Sequence, residues 1–368
     1  MTRNSTIDIA APGIAGLKPY VPGKPVSELE RELGITGSIK LASNENPLGP
    51  SPRAVAAAQA ALAELARYPD GGGFELRRAL AERHGVDMAC VTLGNGSNDV
   101  LDMVARAFLH PCVETVMAEH CFAVYPISAQ AVGATIRVAP ARDRGHDLDA
   151  MRALVNEHTR VVWVANPNNP TGTWLPRQPL RAFLDGLPAH VIAVVDEAYV
   201  EYVDAPDYPD ASQWLVELPN LVVTRTFSKA YGLAALRVGY ALSSPAIADL
   251  LNRVRQPFNV NSVALAAAHA ALGDQEHIRR GVELNRQGMA QLVAGLGTLG
   301  LGYIPSVGNF LAIDLGRPAA PIDQALLREG VITRPIANYG LPNHLRVTVG
   351  LPEENARFLA ALARVLDR

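Results

Sequence analysis

The stretch TRTFSKAYGLAALRVGY, residues 224–240, holds one lysine and two arginines among hydroxyls, glycines, alanines and aromatic rings. Lys229 has Ser228 and Ala230 as neighbours, and Arg237 follows eight residues later. A surface lysine normally keeps charged company, whereas this one sits between two apolar runs, LVVTRTF (221–227) and VGYALSS (238–244). Five more short apolar runs precede them: CVTLG (90–94), VETVMAE (113–119), ATIRVAP (134–140), RVVWVANP (160–167) and VIAVVDEA (191–198). Helical patterns at 97–109, 122–132, 147–156 and 176–186 alternate with them. Strands that are apolar on both sides and separated by helices predict a sheet covered on both faces. The fold class is therefore α/β, a large domain with a mostly parallel seven-stranded sheet between helices, plus a smaller α/β domain.

Three regions are expected. Residues 1–45 are proline-punctuated and irregular apart from a short charged helix near SELERELG, and read as an N-terminal arm and part of the small domain. Residues 46–272 form the large domain, ending in a helical stretch over 245–272. Residues 273–368 form the small domain, with a bridging helix over 274–298, strands NFLAIDL, VITRPI and LRVTVG, and a last helix over 352–367.

Bulk composition narrows the function. At 368 residues the chain exceeds what one core normally supports, and 49% hydrophobic with 19% charged residues is ordinary for a soluble globular protein. A formal charge of −3 leaves no basic footprint for nucleic acid, so no nucleic-acid partner is expected. No run reaches membrane-spanning length, and the first twenty residues lack a continuous apolar segment, so no membrane or secretory role is expected. Cys90, Cys112 and Cys121 are odd in number and lack metal-type spacing, which fits reduced thiols in a cytoplasmic protein.

Ligands in α/β folds gather at the carboxyl ends of the strands. There the sequence places GNGSND (94–99), NPNNPTG (166–172), DEAY (196–199) and FSKAYG (227–232). GNGSND reads either as a plain strand–helix turn capped by Ser97 or Asn98, or as a helix N-terminus aimed at an anion such as phosphate. It lacks the third glycine of a dinucleotide fingerprint, which argues against a nicotinamide enzyme. Asp196, at the end of a buried strand, needs a partner to stay charged, either a structural cation or a ligand. Lys229 beside hydroxyls and a guanidinium suits an amine of lowered pKa that forms a Schiff base. A phosphate held by a helix end, Ser228 and Arg237, a ring nitrogen on Asp196, a ring oxygen on Asn169 and Tyr199, and an aldehyde on Lys229 together describe pyridoxal 5′-phosphate.

The ordered set SNENPLGPSP, RYPD, LGNGSNDVLD, NPNNPTG, VVDEAYVEY, TFSKAYGLAALRVGY and LRVTVG resembles the fold-type I, class II aminotransferases, and among them the histidinol-phosphate aminotransferases most closely. That resemblance, from about residue 15 onward, implies catalytic Lys229, Asp196 and Tyr199. It implies that Ser97, Asn98, Thr226, Ser228 and Arg237 surround the cofactor phosphate. Phe122 takes the place of the aromatic residue that stacks on the ring, and Asn169–Pro170 is expected to be cis. Tyr68 is expected to reach a neighbouring subunit's phosphate in a homodimer with shared active sites. Arg346 is implied to clamp a substrate carboxylate, Arg334 to be the family's second small-domain arginine at the substrate, and Tyr20 to lie near a substrate phosphate. Asn44 and Glu45 are implied to help the arm close over the site. The implied activity is transfer of an amino group between L-histidinol phosphate (or imidazole-acetol phosphate) and 2-oxoglutarate or glutamate, in L-histidine biosynthesis. An aromatic amino-acid aminotransferase is the alternative of the same family, with a phosphothreonine decarboxylase behind it. A cofactor-binding transcriptional regulator is disfavoured because the first 45 residues are too short for a DNA-binding module.

Overall fold

The computed structural model describes residues 9–11 and 13–367. Residues 1–8 and 12 of the expected arm, and 368 of the expected small domain, lie outside the described residues. Seven strands build the large sheet: β1 (Val91–Gly94), β2 (Glu114–Ala118), β3 (Thr135–Ala139), β4 (Thr159–Ala165), β5 (Ile192–Asp196), β6 (Leu221–Thr226) and β7 (Gly239–Ser243). Their order is β1-β7-β6-β5-β4-β2-β3. All neighbours are parallel except β7, which runs antiparallel to both β6 and β1.

The strands read as continuous apolar runs because alternate residues enter two separate cores. Val162, Val164, Ala193, Val195 and Val223 pack with the helices Phe74–His84, Arg177–Asp185 and Ser262–Leu272. Val161, Trp163, Ala165, Val194 and Val222 pack with the helices Ser97–Phe108 and Val124–Ala131. The same alternation governs polar residues at the strand ends. Asp196 and Thr224 share the parity of Val194 and Val222, while Glu197 and Arg225 fall on the opposite face.

The helical run expected over 245–272 is two helices, Pro245–Val254 and Ser262–Leu272. Pro257 interrupts it, and the Asn261 side chain accepts from the Ala264 N–H at 2.8 Å to start the second helix. A long helix, Gln275–Thr298, follows. Its Ile278 joins a core of the large sheet, and its Leu292 and Leu296 join the core of the C-terminal part.

That C-terminal part is an antiparallel sheet of β8 (Gly302–Ile304), β9 (Phe310–Asp314), β10 (Arg334–Ile336) and β11 (Leu341–Thr348), in the order β8-β9-β11-β10. The helices Ala319–Arg328 and Pro352–Leu366 cover it. Phe358 of the second helix, fully buried in that core, is worth about 3–5 kcal/mol against truncation to alanine. The segment Ile39–Lys40 pairs in parallel with Val331–Ile332, and Leu29 of the helix Val26–Leu33 packs on Leu327 and Ile332. The arm thus docks on the small sheet before residues 42–46 cross toward the large one.

Candidate active site

One cavity of about 180 Å³ opens at the carboxyl edge of the large sheet, walled by the arm and by β10 and β11. At its phosphate-sized end, Gly96 caps the helix Ser97–Phe108 with φ of 80° and no side-chain cap, so neither Ser97 nor Asn98 is the N-cap. The first N–H groups of that helix are therefore left for a ligand. A Cβ on Gly96 would sit 2.3 Å from Nη2 of Arg237, so only glycine lets the guanidinium close on the helix end. Nη1 of Arg237 donates to Oγ of Ser228 at 3.2 Å and to the Ala234 carbonyl at 3.0 Å. The Ser228 N–H donates to Oγ1 of Thr226 at 3.1 Å.

Asp196 lies at the cavity floor with 5% of its surface exposed. Its carboxylate accepts from Oη of Tyr125 at 2.8 Å and from Oγ1 of Thr224 at 2.9 Å, with no ion pair among the described residues. Burial raises its pKa, opposed by those two hydroxyls, by the Ala198 N–H and by Lys229. A buried carboxylate held by neutral donors, two hydroxyls and the Ala198 N–H, fits a cationic ring nitrogen as the missing counter-charge.

Lys229 is partly buried; its ammonium donates to the Ser43 carbonyl at 3.1 Å and lies 5.7 Å from the centre of the Tyr199 ring. Burial first, and then the nearby Arg346 and Arg237 guanidinium groups, lower its pKa to about 7. Oη of Tyr199 accepts from Nδ2 of Asn44 at 2.9 Å, and burial holds the phenol above its ordinary pKa, so its proton stays available to donate. Asn44 adopts a left-handed φ of 54° and is fixed by its N–H to Oγ1 of Thr348 at 2.9 Å. Nη1 of Arg346 donates to Oδ1 of Asn169 at 2.6 Å and its Nη2 to the Ala42 carbonyl at 2.7 Å, while its buried Nε has no partner. The Asn169–Pro170 bond is cis as expected, and so is Asn166–Pro167. Phe122 forms one wall, set edge-on to Tyr125 with 5.8 Å between ring centres. At the mouth, Nη2 of Arg334 donates to the Val21 carbonyl at 2.6 Å and its guanidinium lies over Tyr20.

Of the residues expected from the sequence, Tyr68 and Glu45 do not line this cavity. Tyr68 is 82% exposed and stacks on Phe258 with 4.7 Å between ring centres. Glu45 pairs with Lys40 at 2.8 Å. Sequence reasoning missed Tyr125 and Thr224, the two hydroxyl donors to Asp196. Tyr125 lies one helical turn beyond Phe122 and Thr224 shares a strand with Thr226, but neither spacing reports the contact with Asp196, which is 71 and 28 residues away.

The cavity therefore combines an uncapped helix end with an arginine, a carboxylate lacking a counter-ion and a lysine near neutrality. That donor set fits pyridoxal 5′-phosphate at its phosphate, ring nitrogen and aldehyde. Residues 36–362 match the family described as aminotransferase class I and II.

The chain belongs to that family.

The aminotransferase is 63% identical over 362 residues to histidinol-phosphate aminotransferase 2 of Pseudomonas fluorescens, covering 98% of each chain. It is also 63% identical over 360 residues to the Pseudomonas aeruginosa protein of that name, covering 97% of this chain and 98% of the other. Among solved structures it is similar to the histidinol-phosphate aminotransferase of Sinorhizobium meliloti in complex with pyridoxal-5′-phosphate, at 29% identity, with a TM-score of 0.89 and 97% of each chain covered. Among the described residues of the aminotransferase, no cluster of side chains suits a metal ion and no helix is long and apolar enough to cross a membrane.

Proposed function

We propose that this aminotransferase moves an amino group between L-histidinol phosphate and 2-oxoglutarate, using pyridoxal 5′-phosphate, as a cytoplasmic homodimer. Whole-length likeness to histidinol-phosphate aminotransferases supports the substrate. The observation that carries the chemistry is the meeting of Lys229, Asp196, Arg237 and Arg346 around one cavity.

The cofactor, when bound, supplies an electron sink for the bonding pair left at the substrate α-carbon. Arg237, Ser228, Thr226 and the N–H groups of Ser97 and Asn98 would hold its phosphate. Asp196 would keep its ring nitrogen protonated, with Tyr125 and Thr224 fixing the carboxylate. Tyr199 and the amide NH₂ of Asn169 would donate to its ring oxygen, and Phe122 would cover one ring face. Lys229 would bond its aldehyde carbon and, once displaced by the substrate amine, carry the α-proton on Nζ. An amine with a pKa of about 7 suits a group that must both accept and return a proton near neutrality.

Arg346 would bind the carboxylate of glutamate or 2-oxoglutarate, with Asn169 and the Ala42 carbonyl setting its plane. Arg334 and Tyr20, at the mouth, would meet the distal anion: the phosphate of one substrate and the second carboxylate of the other. Asn44 would couple the arm to Tyr199, and Glu45 would act at the rim beside Lys40. The exposure of Tyr68 and its stacking on Phe258, outside its own chain's cavity, support its donation to the phosphate of a second copy.

Comparing kcat/KM for histidinol phosphate, phenylalanine, tyrosine and phosphothreonine, each with 2-oxoglutarate, tests the reading. Histidinol phosphate is expected to lead. A preference for phenylalanine or tyrosine would move the assignment to an aromatic amino-acid aminotransferase, and carbon dioxide from phosphothreonine would make it a decarboxylase.

A further inference from the structure

The motif VVDEAYVEY gives Asp196 and Tyr199 to the catalytic cavity, but its last two residues, Glu201 and Tyr202, point elsewhere. They line a separate groove of about 690 Å³, formed by the segment 201–205, the first half of the helix Gln275–Thr298 and the loop 306–308. Its size lies within the range of small-molecule sites, and a boundary between large and small sheets is a preferred place for one.

The charges in this groove are arranged unevenly. Arg279 is paired with Glu276, and Arg286 with Glu283 at 2.7 Å. Arg83 has no carboxylate partner among the described residues; its Nη2 donates only to Oε1 of Gln275, at 3.1 Å. Glu201, which lines the same groove, makes no ion pair and no hydrogen bond to another side chain among the described residues. Burial raises the Glu201 carboxyl to a pKa of about 7, and Arg225 and Arg83 are close enough to oppose that rise. A guanidinium and a carboxyl thus line one groove with no ion pair between them. The groove wall also holds Asn285, nine-tenths buried, whose Oδ1 has no partner among the described residues.

We propose that this groove binds a small zwitterion, an α-amino acid, with its carboxylate on Arg83 and its ammonium on Glu201. The site lies outside the catalytic cavity and the inference does not rest on the transamination reading. Its walls are close to the catalytic residues in sequence: Glu201 is two residues beyond Tyr199, and Gly308 is two before Phe310. The rings of Tyr199 and Phe310 touch edge to face, with centres 5.2 Å apart.

The test uses holoenzyme reduced with borohydride, which fixes the lysine–cofactor bond and prevents turnover. Each of the protein amino acids is titrated calorimetrically to about 10 mM, beyond the millimolar range expected of one doubly charged contact. At least one is expected to bind saturably, at least tenfold more weakly to Arg83→Gln and to Glu201→Gln, and unchanged to Arg346→Gln. The two groove substitutions are made singly and are near-isosteric, so loss of the fold is checked by their unchanged catalytic turnover before reduction. Absence of saturable binding to the parent protein overturns the proposal. So does binding that survives both groove substitutions or is abolished by Arg346→Gln.

Discussion

Arg334 and Arg346 stand directly opposite each other on the neighbouring antiparallel strands β10 and β11. Both line the cavity, and neither has a carboxylate partner among the described residues. Like charges in cross-strand register destabilise a sheet by roughly 0.2–1 kcal/mol, so the pair is a standing demand for an anion. Arg334→Gln is expected to leave the protein as stable as the parent or slightly more so in urea titration. It should nonetheless raise KM for histidinol phosphate by about tenfold or more, since a charge-assisted hydrogen bond is worth roughly 1.5–3 kcal/mol. Arg346→Gln should act chiefly on 2-oxoglutarate.

Gly96 is the position where the phosphate end tolerates no side chain. Gly96→Ala combines a left-handed φ with a Cβ 2.3 Å from Nη2 of Arg237, so the guanidinium must move away from the helix end. The dissociation constant for pyridoxal 5′-phosphate, measured by equilibrium dialysis, should rise by about tenfold or more, a loss of roughly 1.4 kcal/mol. An unchanged constant would mean that Arg237 and the helix end do not hold the phosphate together.

Lys229 sets the pH dependence of the cofactor-free chain. Its folded pKa, about 7, lies below the ordinary value of 10.5, so between these values the unfolded chain binds the additional proton. This group's contribution to stability therefore rises with pH from about 7 toward 10.5, and its penalty is fully present below 7. The rate of cofactor uptake, followed by absorbance, should rise with a midpoint near 7. In Arg346→Gln the midpoint should move upward, because the guanidinium is the largest charge-based cause of the depression.

On the back face of the same strands, Arg225 donates to Oε2 of Glu197 at 2.7 Å and to Oδ1 of Asp210 at 2.6 Å. Glu197 has no exposed surface. Arg225→Met leaves its carboxylate buried without a cation, at a cost of about 3–5 kcal/mol in urea unfolding. A change below about 1 kcal/mol would show that the pair is dispensable.

Much of this was legible in the sequence, because strand ends and buried runs are local patterns. The strands of the large sheet are short, mostly apolar runs, although the edge strand β3, TIRVA, buries only Ala139, and the polar motifs after four strands meet in one cavity. The antiparallel direction of β7 was not legible, since an apolar run looks the same in either direction. The helix Ala319–Arg328 was hidden by Pro318 and Pro321, which read as loop residues although a helix tolerates proline in its first turn. The split at 255–261 carried its signal in Pro257 and the Asn261 cap, but the alanine-rich pattern on both sides hid it. The partners of Asp196 were missed for a different reason: Tyr125 comes from a distant helix, and no sequence spacing reports a contact across 71 residues.

The most direct test is glutamate formation from histidinol phosphate and 2-oxoglutarate by the parent protein and by Lys229→Ala, each loaded with cofactor and filtered free of excess. The parent should form glutamate. The variant should retain pyridoxal 5′-phosphate through its phosphate contacts, lack the absorbance of the lysine-bound cofactor, and form no glutamate above background. Glutamate formation by Lys229→Ala at the parent rate, or none by the parent protein, would contradict the account.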